Sequence, residues 1–390
     1  MFVFDCTSIC SYNEYKVFIT NIKRDFDQNK SQLFYDYGIL ESSIFNSGER
    51  YFEFRKKYRD LRQSLIKKVL NKFRLFLPSK CLIYEFGSLT KQTDRIESDT
   101  DLTICYDDKK KDIFECVEEL INYSIVYVFE QSIDHVHGKF QHYPISHEYD
   151  HLTEDNNLYK LVFNDGTIEY KCGPETLCEN IMSIKNVRDY NSLIDGYREK
   201  YTLKCNIDCL YSIEILENTT SHDFIEDLSV LEQQNNIFSA YKYSLKKYYI
   251  NKEVEISYLK LAFKNTIVDL YIMLAYLRKK ANWLDQYSMT MEKVFKSEIL
   301  QSIFGVEFIN ELKILFIKMV FYWDKLELVL KKNKIPLSSR CHLIMTKEQI
   351  NDLLFSQYGK KQLMDTILDS INDLSLIVQR GWKLIKNKYE

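Results

Sequence analysis

The pattern of hydrophobic positions is most regular between Glu49 and Leu77. Apolar side chains recur there at steps of three and four residues, which predicts a long amphipathic helix. The polar face of this helix carries many cations, namely Arg55, Lys56, Lys57, Arg59, Arg62, Lys67, Lys68 and Lys72. Such a face is ordinarily solvated, and the alternative is a ridge that contacts phosphate or RNA.

A mixed pattern follows from Cys81 to about residue 213. The short apolar runs Cys81–Phe86 and Leu102–Tyr106 predict two buried strands. Local pattern predicts four further elements: a helix over Asp112–Tyr123, a strand over Ile125–Phe129, a hairpin turn at Asn164-Asp165-Gly166 and a strand over Tyr201–Ile213.

The period becomes helical from about Asp223 onward. Helices are predicted over Val254–Lys279, Met291–Ile303, Val306–Lys332 and Lys347–Lys388. Thr346, with Gln349 three residues later, matches a capping box. We therefore expect an α+β fold with three parts: an N-terminal helical segment (1–80), a mixed-sheet domain (81–220) and a C-terminal helical bundle (221–390).

Composition narrows the class of protein. The 390 residues are 45% hydrophobic and carry a net charge of −3, which excludes global disorder and a broadly basic nucleic-acid coat. The ten cysteines include no Cys-x-x-Cys pair, so we expect reduced thiols and a cytoplasmic protein. No apolar run is long enough to cross a bilayer and the N-terminus lacks the basic start of a signal peptide, so no membrane partner is expected.

The candidate chemistry lies between the two predicted strands at Cys81–Phe86 and Leu102–Tyr106. Gly87-Ser88 follows the first strand, and Asp99 and Asp101 open the second. Because strand side chains alternate between faces, acids two residues apart point the same way and repel unless a cation lies between them. Mg²⁺ suits such oxygen ligands, while a glycine turn lets backbone amides and the Ser88 hydroxyl approach phosphate oxygens. Together these features predict a site for a nucleoside triphosphate.

This arrangement resembles the DNA polymerase beta-like nucleotidyltransferase superfamily, whose signature is a strand, Gly-Ser or Gly-Gly, a short helix and then Asp-x-Asp on the next strand. The matching residues are Gly87, Ser88, Asp99 and Asp101, and Ser98 and Leu102 are also usual in such sites. The sequence departs from the signature at Thr100, where an apolar residue is commoner. The basic-Gly pair that often follows the turn is absent as well, so Lys91 and Arg95 are the nearest cations.

The resemblance implies a two-metal site that uses Mg²⁺ or Mn²⁺ and a third carboxylate on a later strand. Our first choice is Asp208, because an acid within an apolar strand is costly unless it is used. The alternative is Glu169. Gly87, Ser88, Lys91, Arg95 and Ser98 would then contact the nucleotide.

A second cluster of chemically active residues lies between His135 and His151, which holds five of the seven histidines. His147-Glu148-Tyr149-Asp150-His151 has the letter pattern of a zinc-protease helix. Pro144 just upstream and the acids that follow do not suit such a helix, so we expect a polar loop that lines an acceptor pocket, and the alternatives are a catalytic or a structural metal.

The predicted reaction moves a nucleoside monophosphate from an NTP to a hydroxyl and releases pyrophosphate. We expect the acceptor to be a protein or a small molecule rather than RNA, because the chain lacks a basic excess. The alternatives are an enzyme that extends RNA or tRNA 3′ ends or makes oligonucleotide messengers, and a non-catalytic module that senses NTP.

Overall fold

The computed structural model describes the chain in segments. These are 2–40, 48–77, 81–86, 88–98, 100–106, 111–129, 140–142, 157–172, 208–212, 253–255, several positions between 259 and 277, 290–335, 343–360 and 363–389. For part of them, including 81–86, 101–106 and 208–212, only the backbone is described.

Helices make up most of the described structure. In chain order they are α1 (Tyr12–Asp36), α2 (Gly48–Lys72), α3 (Ser88–Lys91), α4 (Lys111–Phe129), α5 (Met291–Lys296), α6 (Glu298–Phe304), α7 (Val306–Lys332), α8 (Lys347–Tyr358) and α9 (Leu363–Tyr389). A 3-10 turn over Arg74–Phe76 follows α2, and the described positions between 259 and 277 are helical.

The strands form three small sheets. They are β1 (Phe2–Asp5), β2 (Cys81–Phe86), β3 (Asp101–Tyr106), β4 (Phe140–His142), β5 (Asn157–Phe163), β6 (Gly166–Cys172), β7 (Asp208–Ser212), β8 (Glu253–Glu255) and β9 (Ile344–Thr346). The orders are β1-β5-β6, β4-β3-β2-β7 and β8-β9, and the first two sheets mix parallel and antiparallel pairs. The chain is thus a mostly helical α+β protein.

The N-terminal segment is helical as predicted, but it also supplies a strand. Ser11 caps α1 through a capping box with Glu14, and the apolar stripe that follows turns inward. Ahead of this helix, β1 pairs in parallel with β5, more than 150 residues along the chain. The predicted helix at Glu49–Leu77 is observed as α2 and the short 3-10 turn.

Helix α4 corrects one prediction. Ile125–Phe129, predicted as a strand, forms the last turns of this helix. Val117, Leu120 and Ile121 face the core, and Ile125 and Val128 continue the same buried face. The side chain of Tyr15 in α1 donates to the carbonyl of Leu120 at 2.8 Å, so packing against α1 overrides the β preference of the run.

The predicted hairpin at Asn164-Asp165-Gly166 is confirmed. It joins β5 and β6 in a regular antiparallel pair with a two-residue connection. The Asp165 carboxylate accepts hydrogen bonds from the backbone of Tyr12 and Asn13, at 2.6 and 3.3 Å, and so binds the first amides of α1. A side chain at Gly166 would overlap Tyr12, which explains why the turn ends in glycine.

The described residues of the C-terminal half are mainly helical, and the helix boundaries differ from those predicted. Val254 lies in β8, paired with β9, rather than at the start of a helix. Ser297 separates α5 from α6 and caps the latter. Gly359, with φ of +63°, ends α8 in the left-handed conformation, so the predicted helix over Lys347–Lys388 is two helices. The capping box of Thr346 and Gln349 is confirmed.

One continuous hydrophobic core links the N-terminal helices, α4, the β5–β6 hairpin and the C-terminal helices. Trp323 of α7 is fully buried and stacks on Phe263, with ring centroids 4.4 Å apart. Within the described residues, no helix is long and apolar enough to span a membrane. The domain boundary predicted near residue 220 lies outside the described residues.

Candidate functional site

The predicted phosphate turn lies between β2 and the short helix α3. Helix α3 begins at Ser88, whose carbonyl accepts a hydrogen bond from the backbone of Thr93 at 2.9 Å. Leu89 is buried, whereas Ser88 is partly exposed. The order of strand, serine, short helix and acid-bearing strand agrees with the predicted order. Gly87 lies outside the described residues.

Strand pairing brings two of the predicted acids to one end of the four-stranded sheet. Strand β2 lies between β3 and β7, with Asp101 opposite Phe86 and Asp208 opposite Glu85. These partners are consecutive, and consecutive strand residues belong to opposite faces. A site shared by the two acids therefore needs the strand ends to depart from regular pairing. Asp99 lies outside the described residues.

Glu169, the alternative third acid, lies elsewhere. It belongs to β6 in the three-stranded sheet, is exposed and forms an ion pair with Lys160 at 3.2 Å. The fold does not bring it into the sheet that contains Asp101.

Two residues predicted to contact the nucleotide hold together the loop between β2 and β3, which we define as residues 88–100. The Ser98 hydroxyl is buried and accepts a hydrogen bond from the backbone of Arg95 at 2.7 Å, which closes a turn. The Arg95 guanidinium forms an ion pair with Glu327 of α7. A nucleotide phosphate would have to compete with that carboxylate for Arg95. The side chain of Lys91 lies outside the described part of the structure.

Three arginines of α2 anchor the loop 88–100 from one side. Arg55, Arg59 and Arg62 are all buried, so the expected solvated face holds for lysines such as Lys68 but not for them. The Arg59 Nε and Nη2 atoms lie 3.1 and 2.7 Å from Asp94 Oδ1.

The remaining two arginines also contact the loop. Arg55 Nη2 lies 3.5 Å from the same oxygen of Asp94. Arg62 Nη2 donates to Thr100 Oγ1 at 2.7 Å. Both ends of the 94–100 segment are therefore fixed to a helix that precedes it in the chain.

Helix α7 anchors the loop from the other side. Asp324 Oδ1 accepts a hydrogen bond from the backbone of Ile96 at 2.9 Å, Glu327 pairs with Arg95, and Lys331 Nζ lies 2.6 Å from Glu97. Because these three residues of α7 are spaced i, i+3 and i+7, they share one face of the helix.

Burial has the largest effect on the pKa values of the two acids of α7 that hold the loop. It raises the pKa of Asp324 to about 7, while the nearby Arg55 guanidinium acts in the opposite direction. Burial likewise raises the pKa of Glu327, and Arg95 opposes it. The Tyr51 hydroxyl of α2 donates to Asp324, so the two anchoring helices also contact each other at this point.

A sequence signal for these anchors existed and was missed. Arg55, Arg59 and Arg62 are spaced i, i+4 and i+7, the spacing that marks a buried face when the residues are apolar. Asp324 and Glu327 interrupt an apolar stretch of α7. Basic residues on a buried face of one helix and acidic residues on a buried face of another indicate that both faces contact a segment that lies between the two helices.

An open surface cavity of about 490 Å³ lies between the start of α2, α5 and α7. Gln92 of the loop accepts a hydrogen bond from the backbone of Glu292 at 2.9 Å and so joins the loop to one wall. The rim pairs opposite charges: Lys313 with Glu49, and Lys296 with Glu292. This surface suits a polar ligand of mixed charge better than a polyanion.

No group of three or more His, Cys, Asp or Glu side chains is arranged to hold a metal within the described residues. The side chains of Asp99, Asp101 and Asp208 are not among them, and neither are those of the cluster from His135 to His151. Carboxylate oxygens are the ligands that Mg²⁺ prefers, so the residue types of Asp99, Asp101 and Asp208 fit that ion.

Comparisons with known proteins add no family. No protein-family model matches the chain, and no curated protein matches it either.

Proposed function

We propose that the chain is a metal-dependent nucleotidyltransferase with a fold like that of the DNA polymerase beta superfamily. The observation that carries the proposal is the strand order. Ser88 follows β2 directly, and Asp101 and Asp208 begin the strands on either side of the end of β2. The start of the turn and the starts of both acid-bearing strands thus lie at one end of the sheet, which supports a shared site.

In this proposal Gly87 and Ser88 contact the β- and γ-phosphates, with Lys91 as the nearest available cation. Asp99, Asp101 and Asp208 hold the metal, which is Mg²⁺ or Mn²⁺. When bound, the ion supplies charge neutralisation on the phosphates and a lower pKa for the attacking hydroxyl. The buried anchors hold the loop between α2 and α7, which favours transfer through orientation.

The acceptor is proposed to be a hydroxyl of a protein or a small molecule. The 490 Å³ cavity supports this choice, because its wall is joined to the loop through Gln92 and its rim carries carboxylates as well as cations. The lining holds three carboxylates beside four cations, so it lacks the large basic excess that binding of a long RNA requires.

The test uses each of the four NTPs labelled at the α-phosphate, incubated with the protein, Mg²⁺ and a cell extract. A transferred label together with pyrophosphate release is expected for one or more NTPs. The double variant Asp99→Asn with Asp101→Asn should abolish both, whereas Glu311→Gln, an exposed acid on α7, should leave both unchanged. Label that appears only on RNA would shift the acceptor class, and NTP binding without pyrophosphate release would indicate a sensor.

Single variants test whether Asp208 or Glu169 is the third carboxylate that holds the metal. Asp208→Asn should lower turnover by about a hundredfold or more if it holds the metal, and Glu169→Gln should then have little effect. The reverse result would assign the role to Glu169, despite its exposed ion pair on the other sheet.

A further inference from the structure

Thr100 separates the two acids of the Asp-x-Asp motif, and its side chain is fully buried. Its hydroxyl accepts a hydrogen bond from Arg62 Nη2 at 2.7 Å, and Arg62 itself is only 1% exposed. Thr100, where the signature usually has an apolar residue, is therefore also the residue through which Arg62 of α2 contacts the acid-bearing segment. The hydroxyl, which an apolar residue lacks, makes this contact.

Arg62 is an unusual choice for such a buried position. Its Nε and Nη1 atoms have no hydrogen-bond partner among the residues that the structure describes. The ring of Phe129, 5.1 Å from the guanidinium carbon, offers a cation–π contact. A buried cation is costly to the fold, so a function that depends on the hydrogen bond between Arg62 and Thr100 accounts for its presence.

We propose that Arg62 is a positioning residue that holds the acid-bearing segment in place through Thr100. This inference rests on the proposed nucleotidyl transfer. Two neighbouring carboxylates repel each other, so they separate unless the backbone that carries them is fixed before the metal binds. The hydrogen bond to Arg62 fixes the backbone between Asp99 and Asp101 to α2. The same helix holds the loop at Asp94 through Arg59, seven residues from Asp101.

The experiment compares Thr100→Val, Thr100→Ser, Arg62→Met and the double variant Arg62→Met with Thr100→Val in the full chain. Valine keeps the shape of threonine and removes the acceptor, and serine keeps the acceptor. The control is Ile66→Val, which removes one buried methylene from the next turn of α2. Two quantities are measured on protein that remains folded: Mn²⁺ affinity with a non-hydrolysable NTP analogue, by electron paramagnetic resonance, and the Mg²⁺ concentration for half-maximal pyrophosphate release.

Thr100→Val and Arg62→Met should each weaken metal binding by roughly tenfold, the usual effect of removing a group that orients a metal ligand. The double variant should be no weaker than the worse single variant, because both remove the same contact. Thr100→Ser should restore affinity close to wild type. Ile66→Val should lower the melting temperature without changing metal affinity, as a purely structural contact would.

An unchanged metal affinity in folded Thr100→Val overturns the inference, as does an additive double variant. If Arg62→Met does not fold, Thr100→Val and its serine rescue decide the question alone. If the wild-type chain binds neither Mn²⁺ nor the nucleotide, the proposed function fails and this inference fails with it. If the wild type binds both and the variants match it, only the positioning role is lost.

Discussion

Two connections between antiparallel strands in this molecule reach their shapes by different means. The β5–β6 connection is the two-residue turn Asn164-Asp165, whereas the β2–β3 connection spans 87–100. Both are held by a helix that precedes them in the chain, and the long loop is also held by α7, which follows it. The short turn uses one exposed carboxylate on the first amides of α1, and the long loop uses buried charges between α2 and α7.

The two connections differ in how much their contacts with helices contribute to the stability of the fold. A turn with favourable local residues forms with little help, and its helix contact is solvated. The long loop is not held by strand pairing, so its conformation depends on buried ion pairs and hydrogen bonds. Breaking a buried charged pair leaves an uncompensated charge, which costs far more than losing an exposed contact.

The largest expected effect is at Asp94, which pairs with Arg59 and Arg55. Asp94→Ala should lower the free energy of unfolding by about 3–5 kcal/mol, because two buried guanidinium groups lose their carboxylate. Urea unfolding measures this change. The matched comparison is Arg380→Ala, which breaks the exposed ion pair with Glu311 and should cost less than about 1 kcal/mol. Equal losses of unfolding free energy in the two variants would contradict the distinction between buried and exposed ion pairs.

An intermediate effect is expected at Asp324, whose pKa burial raises to about 7. Its unfolded carboxyl ionises near pH 4, so between about pH 4 and 7 the unfolded state binds fewer protons than the folded state. The stability that this group contributes is therefore complete below pH 4 and is lost as the pH rises through 7. Asp324→Asn, which keeps the shape, should lack this part of the pH dependence.

Urea titrations of wild type and Asp324→Asn at several pH values test this expectation. The wild type should lose stability relative to the variant between pH 4 and 7, and the two curves should run parallel above pH 8. A constant difference across the whole range would show that Asp324 does not titrate in this window. Glu327, whose pKa burial also raises, is close enough to raise the pKa of Asp324, so its titration contributes to the same difference.

The smallest effect is expected at the short turn, where hydrogen bonds from the backbone of Tyr12 lower the pKa of Asp165. Asp165→Ala should decrease the melting temperature slightly, since α1 keeps its own capping box at Ser11. A lowered pKa gives stability above the unfolded pKa and loses it as the pH falls through the folded value. The difference between wild type and variant, followed by circular dichroism, should thus shrink as the solution is made more acidic than the lowered pKa of Asp165. A decrease as large as that of Asp94→Ala would be unexpected.

Much of the fold could be predicted where local residues suffice. The Asn164-Asp165-Gly166 turn, the capping box at Thr346 and the apolar stripe of α7 are all local signals, and all three are observed. Ile125–Phe129 was predicted wrongly because a β-branched run has the same composition in a strand and in the buried end of a helix. Val254 was placed in a helix because its strand partner, β9, lies about 90 residues away.

The candidate site divides in the same way. Sequence alone placed Ser88 after a strand and Asp101 at the start of the next, because turn residues and strand alternation act over a few positions. Only the tertiary structure brought Asp208 beside β2 and turned the arginines of α2 inward onto Asp94 and Thr100. The physical reason is range: backbone preferences are set by neighbours in sequence, whereas a buried charge is tolerated only where a distant segment supplies its partner.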